Sequence, residues 1–204
     1  MAHTGTGASA NVPILAAILI QLVLEASIVA LILIALPRLS GFSLKELGFV
    51  MPRPWQIGIA LLGAIAMIIV VEGGASLIQA LLHQKHEQQV VELFKQVRSQ
   101  ASVMWLFAVF AVVLAPFMEE TIFRIFVFNI GLRYGGFWVG AIISGIAFGL
   151  AHTDIYVLLP LAVGGMVLSF VYYRTRNAFC SMVTHGCFNA LTVFALIYAP
   201  NLAQ

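Results

Sequence analysis

Six long apolar runs dominate this sequence: Val12 to Leu36, Ile57 to Leu82, Ala101 to Ile130, Gly136 to His152, Tyr156 to Tyr173 and Phe179 to Tyr198. A hydrocarbon core roughly 30 Å thick takes about 20 mostly apolar residues to cross as a helix. Lipid offers no partner for an open sheet edge, and the alternation of a barrel strand is absent, so the spans are predicted to be helices. Composition agrees with this reading. The chain is 62% hydrophobic and 9% charged, with a mean hydropathy of +1.04, against about 25% charged residues in soluble domains. Too few polar side chains remain to coat a water-facing globule. The expected fold class is all-α: a single integral membrane domain over residues 1–204, a polytopic bundle of about six transmembrane helices, located in the cell membrane.

Met1 to Asn11 carries no Lys or Arg, so the charged opening of a secretory signal is missing and the first span is expected to stay in the mature protein. Cys180 and Cys187 lie seven apart on one predicted helix, a rise of about 10 Å, too far for a disulfide. Net charge is only +2 and no basic stripe interleaves with aromatics, which excludes nucleic acid as an expected partner. The basic residues speak instead to orientation. Arg38, Lys45, Arg53, Arg133, Arg174 and Arg176 fall in one set of connections and Lys85, Lys95 and Arg98 in the other, which places the first set inside and both termini outside. Ser40 to Gln56, with Pro52 and Pro54, reads as a surface segment and turn. His83 to Gln100 has apolar residues at Val90, Val91, Phe94 and Val97, the spacing of an interfacial helix with its polar face in water.

Ionisable groups inside such spans are costly and are functional candidates by default. Phe117-Met118-Glu119-Glu120-Thr121-Ile122-Phe123-Arg124 holds two carboxylates and a guanidinium. Residues four apart share a helix face, so Glu120 is placed to pair with Arg124, while Glu119 points about 100° away as a candidate general base. The bland alternative is a buried ion-pair cluster without chemistry. Pro116 removes a helix hydrogen bond just ahead, which predicts a kink or an opened carbonyl. His152 ends the fourth span, with Phe148 on its face, and counting from the intervening turn puts it about 6 Å from the depth of Glu119. In the sixth span His185 and Asn189 share a face near mid-membrane. They can donate to a developing oxyanion or simply clamp two helices together. Together these residues supply a base for water, a second group to position it and donors for a tetrahedral oxygen. No nucleophile elbow or Ser-Lys pair accompanies them, which points to direct hydrolysis without an acyl-enzyme.

These residues resemble a known family. Glu119-Glu120-x-x-x-Arg124, then Phe148-x-x-x-His152, then His185-x-x-x-Asn189, in that order on successive helices, are similar to the three motifs of the CAAX protease and bacteriocin-processing family, which contains the type II CAAX prenyl endopeptidases and is also called the Abi family of glutamate intramembrane proteases. Leu161 to Cys180, with Gly164-Gly165 and Tyr172-Tyr173-Arg174-Thr175, is similar to the family's linker, and Glu46-Leu47-Gly48-Phe49 to its N-terminal element. The resemblance covers about Ala101 to Leu196, the expected catalytic core. It implies that Glu119 activates water with His152, that His185 and Asn189 form the oxyanion hole, and that Glu120 and Arg124 organise the site, with no metal or other cofactor. It implies as partners, beside the bilayer itself, a peptide or a prenylated or membrane-anchored protein, including prenylated C-terminal peptides and bacteriocin leaders. Two features depart from the pattern: Ile125 stands where a Gly often follows the motif Arg, which would narrow the cleft, and six spans replace the eight of eukaryotic members.

Three other readings compete. A zinc-dependent membrane protease would use Glu119, His152 and His185 as ligands, but no His-Glu-x-x-His helix exists and Asn189 would have no task. A transporter or proton relay would use Glu25, Glu72, Glu119 and Glu120, with Gly73-Gly74 breaking the second span, but the halves show no matching broken segments. Glu25 and Glu72 are expected to face the bundle interior or pair with neighbours such as Gln21 or Gln79. A non-catalytic scaffold would require a lost catalytic position, and none is lost. The expected function is intramembrane endopeptidase activity on membrane-associated or lipidated peptides.

Overall fold

The computed structural model describes residues 7–83 and 89–198, with the side chains of 7–15, 17, 18, 89 and 90 outside that description, so the expectations for Met1 to Thr6, Lys85 and the Val90 side chain fall outside it. Helix α1 spans Gly7–Ser40, α2 Pro54–Leu82 and α3 Gln89–Val97. A long run follows: α4 (Ala101–Val109), a π-helical turn (Phe110–Leu114), α5 (Ala115–Glu120), a second π-helical segment (Thr121–Phe128) and α6 (Asn129–Ala151). Helices α7 (Ile155–Thr175) and α8 (Ala178–Tyr198) complete the bundle.

Among the described residues, five helices are long and apolar enough to cross a membrane, and the run Ala101–Ala151 counts among them as one of 51 residues. That is more than twice the length a single crossing takes. The run folds back at Gly136, whose φ of 77° and ψ of −173° suit a residue without Cβ. Across the fold the Phe128 ring meets Phe137 at 6.1 Å, and Ser144 Oγ donates to the Phe123 carbonyl at 2.8 Å. The third and fourth predicted spans are thus the two arms of one antiparallel hairpin. The protein is a multi-pass integral membrane protein built from helices.

Burial is inverted relative to a water-soluble bundle. Leu62, Ile69, Ile146 and Leu159 face outward, whereas Glu120, Thr121, Arg124, Ser144, Ser169, Thr184 and His185 are buried. With lipid outside, apolar side chains gain little from burial, and packing depends on small residues and internal hydrogen bonds. Gly145 and Gly149 of α6 lie directly against the backbone of α7 at Ala162 and Leu158, where any side chain would collide. On the other side of α7, α2 approaches α8 closely enough for Thr184 Oγ1 to donate to the Ala60 carbonyl at 2.9 Å. Gly73-Gly74 does not interrupt α2, which runs unbroken from Pro54 to Leu82.

One end of the bundle is tied together by a latch. Ser43-x-x-Glu46 closes as a capping box: the Ser43 amide donates to Glu46 Oε2 at 2.8 Å, and the Glu46 amide donates to Ser43 Oγ at 3.4 Å. Those bonds to Ser43 hold the Glu46 carboxyl below the usual carboxylate range. The following Leu47-Gly48-Phe49 docks on the α7–α8 turn. The Ala178 amide donates to the Gly48 carbonyl at 2.9 Å, Tyr172 Oη to the Leu47 carbonyl at 3.1 Å, Asn177 Nδ2 to the Val50 carbonyl at 2.8 Å and Gln56 Nε2 to the Thr175 carbonyl at 2.7 Å. Ile125 packs in the core under this latch with Leu47, Phe128 and Tyr172, so its bulk fills structure there and does not narrow a cleft at the carboxylates. At the opposite end, Val91, Phe94 and Val97 of α3 are covered by Phe107, Val193 and Leu196. The predicted helix spacing holds, but this apolar face rests on α4 and α8 and not in lipid.

Candidate active site

Helix α5 carries Glu119 and Glu120 between two stretches whose hydrogen bonds run i→i−5. The Ala115 amide already donates to the Phe110 carbonyl in that register. The next donor would be residue 116, reaching back to Ala111. Proline has no N–H, so the Ala111 carbonyl is left for another partner, and Asn189 Nδ2 of α8 donates to it at 2.7 Å. The opened carbonyl expected from Pro116 exists, and a residue of the third motif occupies it.

Within the cluster, Glu120 and Arg124 are both fully buried, with Arg124 Nε 3.1 Å from Glu120 Oε2. The sequence reading gives Glu120 this one partner; the structure adds a second, His185 Nδ1, which donates to Oε1 at 3.1 Å. Arg124 Nη2 reaches the Gly165 carbonyl at 3.4 Å, and its guanidinium lies 4.7 Å from the Phe148 ring centre. Phe148 is the hub of the site. Its ring also meets Phe123 and His185 at 5.5 Å and His152 at 4.7 Å.

Glu119 points away from the Arg124 pair, as the helix geometry requires. Its Oε2 is 4.0 Å from His185 Nε2 and has no hydrogen-bond partner among the protein's groups. The hairpin register places His152 nearby: Phe123 faces Phe148, and four residues further along each arm come Glu119 and His152. His152 Nδ1 bonds the Phe148 carbonyl at 2.8 Å, which leaves Nε2 with a free lone pair in the neutral ring. Arg124, His152 and His185 thus gather on the Phe148 ring, with Glu120 bonded to Arg124 and His185 and Glu119 4.0 Å from His185, while Asn189, one turn of α8 beyond His185, turns toward the Phe110–Leu114 segment. Among the described residues, no three His, Cys, Asp or Glu side chains converge as metal ligands.

Sequence reasoning missed the Glu120–His185 bond, which joins two motifs across distant helices and leaves no local signal. It also missed the π-helical segments, for which Pro116 was the only hint. An apolar groove of about 430 Å³ runs along the outer face between α4 and α8, lined by Trp105, Val109, Val113, Ala190, Phe194 and Tyr198. It begins one residue from Asn189.

Comparison with known proteins bears on this arrangement. Residues 101–191 match the family model described as type II CAAX prenyl endopeptidase Rce1-like. This segment is similar to an Rce1-like domain. It contains all seven clustered residues, from Glu119 to Asn189. The chain is similar to the membrane-embedded CAAX protease MroQ of Staphylococcus aureus (strain USA300), 26% identical over 193 residues, covering 91% of this chain and 76% of MroQ. It is also 30% identical over 81 residues to YdiL of Bacillus subtilis (strain 168), named a candidate membrane peptidase, a match covering 40% of this chain and 33% of that protein. No solved structure matches significantly.

Proposed function

We propose that the protein is a metal-independent glutamate endopeptidase that hydrolyses peptide bonds of membrane-associated or lipidated substrates by direct attack of water. The carrying observation is the orphaned Glu119 carboxylate oxygen, 4.0 Å from His185 Nε2 in an otherwise packed interior. Both atoms are beyond direct bonding and within reach of one shared water. Glu119 takes a proton from that water, His152 Nε2 accepts its other hydrogen and aims it, and the oxygen attacks the scissile carbonyl.

Glu120 holds the His185 ring through Nδ1, which leaves Nε2 to face the developing oxyanion. Asn189 Nδ2 has a second N–H beyond the one given to Ala111, and that N–H completes the oxyanion hole. Apolar residues of the substrate rest in the groove between α4 and α8. Both relatives bear peptidase names, and MroQ is named a CAAX protease; those names support the substrate class here, a peptide held at the membrane.

The test is cleavage of membrane-anchored and prenylated peptides by the purified chain in ¹⁸O-water. Direct hydrolysis puts one ¹⁸O in the new carboxylate with no covalent enzyme adduct, and Glu119→Gln is inactive. Chelator-induced loss that zinc restores would replace this mechanism with a metallopeptidase, and absence of cleavage with intact folding would favour a scaffold.

A further inference from the structure

Where a π-helical segment hands back to a tighter α-helix, a backbone carbonyl is left short of a donor. Asn129, the first residue of α6, stands at the exit of the Thr121–Phe128 segment and belongs to none of the three motifs. Under the i→i−5 pattern of that segment, the Asn129 amide would serve the Arg124 carbonyl. It turns to the Phe126 carbonyl. The Asn129 side chain takes its place: Nδ2 donates to the Arg124 carbonyl at 3.1 Å and to the Ile125 carbonyl at 3.0 Å. The carbonyl before these, on Phe123, accepts from Ser144 Oγ. Side chains thus hold three successive carbonyls of the segment, and Asn129 holds two of them. Its donors are fully committed. Tyr172 Oη spends its single hydrogen on the Leu47 carbonyl, so toward Asn129 Nδ2, 3.0 Å away, it accepts. One N–H of the amide therefore goes to Tyr172, and the other is shared between the two carbonyls.

This arrangement fixes Arg124 at both ends. Its carbonyl is tied to Asn129, and its guanidinium meets Glu120 Oε2 at 3.1 Å and lies over the Phe148 ring. One extra residue in a helical turn rotates the flanking stretches by about 100° relative to a continuous α-helix. The register of Thr121–Phe128 therefore decides how Glu119 and Glu120, immediately before it, face Phe148 of α6. We propose that Asn129 is a positioning residue of the hydrolytic site, whose side-chain amide locks the π-helical register that aims Arg124 and the two carboxylates. The inference rests on the hydrolysis proposed above and deepens it. Asn129 touches neither the substrate nor the reacting water, and no proton passes through it. Without its donor the Arg124 and Ile125 carbonyls lose a partner in a poorly hydrated interior, and the segment gains by slipping to another register. The groove assigned to the substrate is built from α4 and α8, so binding there does not depend on this amide.

The experiment uses the full chain in one detergent or lipid system. It measures kcat and KM on a membrane-anchored peptide, thermal unfolding, and the ¹⁵N–¹H resonance of Arg124 Nε, identified by its loss in Arg124→Lys. Asn129→Leu keeps the volume and removes the donors, so kcat should fall about tenfold or more at unchanged KM, and the Arg124 resonance should move. Asn129→Ser, whose hydroxyl can donate to the carbonyl four residues back, should recover most of the rate and return the resonance toward its wild-type position. Tyr172→Phe removes only the bond to the latch and should leave kcat and the resonance unchanged. Should Asn129→Leu fail to fold, Asn129→Ala, which deletes the donors without adding bulk, carries the same expectation. A folded donorless variant with wild-type kcat and an unmoved resonance overturns the proposal, as does a Ser variant as slow as Leu. Tyr172→Phe as slow as Asn129→Leu overturns it too, by placing the effect in the latch. Wild-type cleavage by Glu119→Gln, or no cleavage by the wild type, would remove the hydrolytic reading, and the Arg124 resonance would still decide whether Asn129 sets the register.

Discussion

The bundle contains two polar assemblies, and they differ in how completely they are satisfied. In the latch, Tyr172, Gln56, Asn177 and the Ala178 amide each donate to a backbone carbonyl, and Asn129 Nδ2 donates in turn to Tyr172 Oη at 3.0 Å. In the motif cluster, Glu119 Oε2 and Arg124 Nη1 are buried without a hydrogen-bond partner, and Glu120 Oε2 and Arg124 Nε meet as an ion pair at 3.1 Å without an aligned hydrogen bond. Both lie among apolar residues, so the same desolvation applies to each. A set of buried groups that closes on itself holds helices together; one that leaves strong acceptors and donors unpaired has capacity for a reacting molecule.

The contrast breaks most sharply at Glu119. Glu119→Gln should cut peptide cleavage by about 10³ or more while folding is retained; cleavage at the wild-type rate would make the cluster a second latch. Glu120→Gln should cost about 3 kcal/mol of stability, read by thermal unfolding, because Arg124 keeps its charge and loses its counter-ion. Asn189→Ala should lower turnover by about 10² if its amide faces the oxyanion. A loss confined to stability would assign it wholly to the Ala111 carbonyl. Tyr172→Phe belongs to the satisfied assembly and should cost only about 1 kcal/mol, with kcat unchanged. The smallest effect concerns Glu46. Its carboxyl titrates below its unfolded value, so its contribution to the latch is present above that range and lost as pH falls through the folded value. Hydrogen exchange at the Leu47 amide should speed up there and nowhere near neutrality.

Much of this was legible in the chain. Apolar run lengths fixed the helices, and i,i+4 spacing placed Glu120 with Arg124, because both depend only on local geometry. Depth counting put Glu119, His152 and His185 near one level; in the structure Glu119 lies 4.0 Å from His185, and His152 and His185 both contact the Phe148 ring. What stayed hidden depends on contacts between helices. The second partner of Glu120 and the stacking of Arg124 on Phe148 both require knowing which helix neighbours which. The covered face of α3 is a related case: periodicity shows that Val91, Phe94 and Val97 share a side, but lipid and protein are equally apolar partners for it.

Pro116 has a consequence beyond the site. Because it cannot supply a proton to the Ala111 carbonyl, the third crossing is incomplete on its own and becomes saturated only when α8, synthesised after it, delivers Asn189. Biogenesis thereby couples two distant segments: an insertion intermediate that has the third crossing but not yet α8 carries an unpaired carbonyl dipole in the bilayer, and sliding α8 by one residue reopens it.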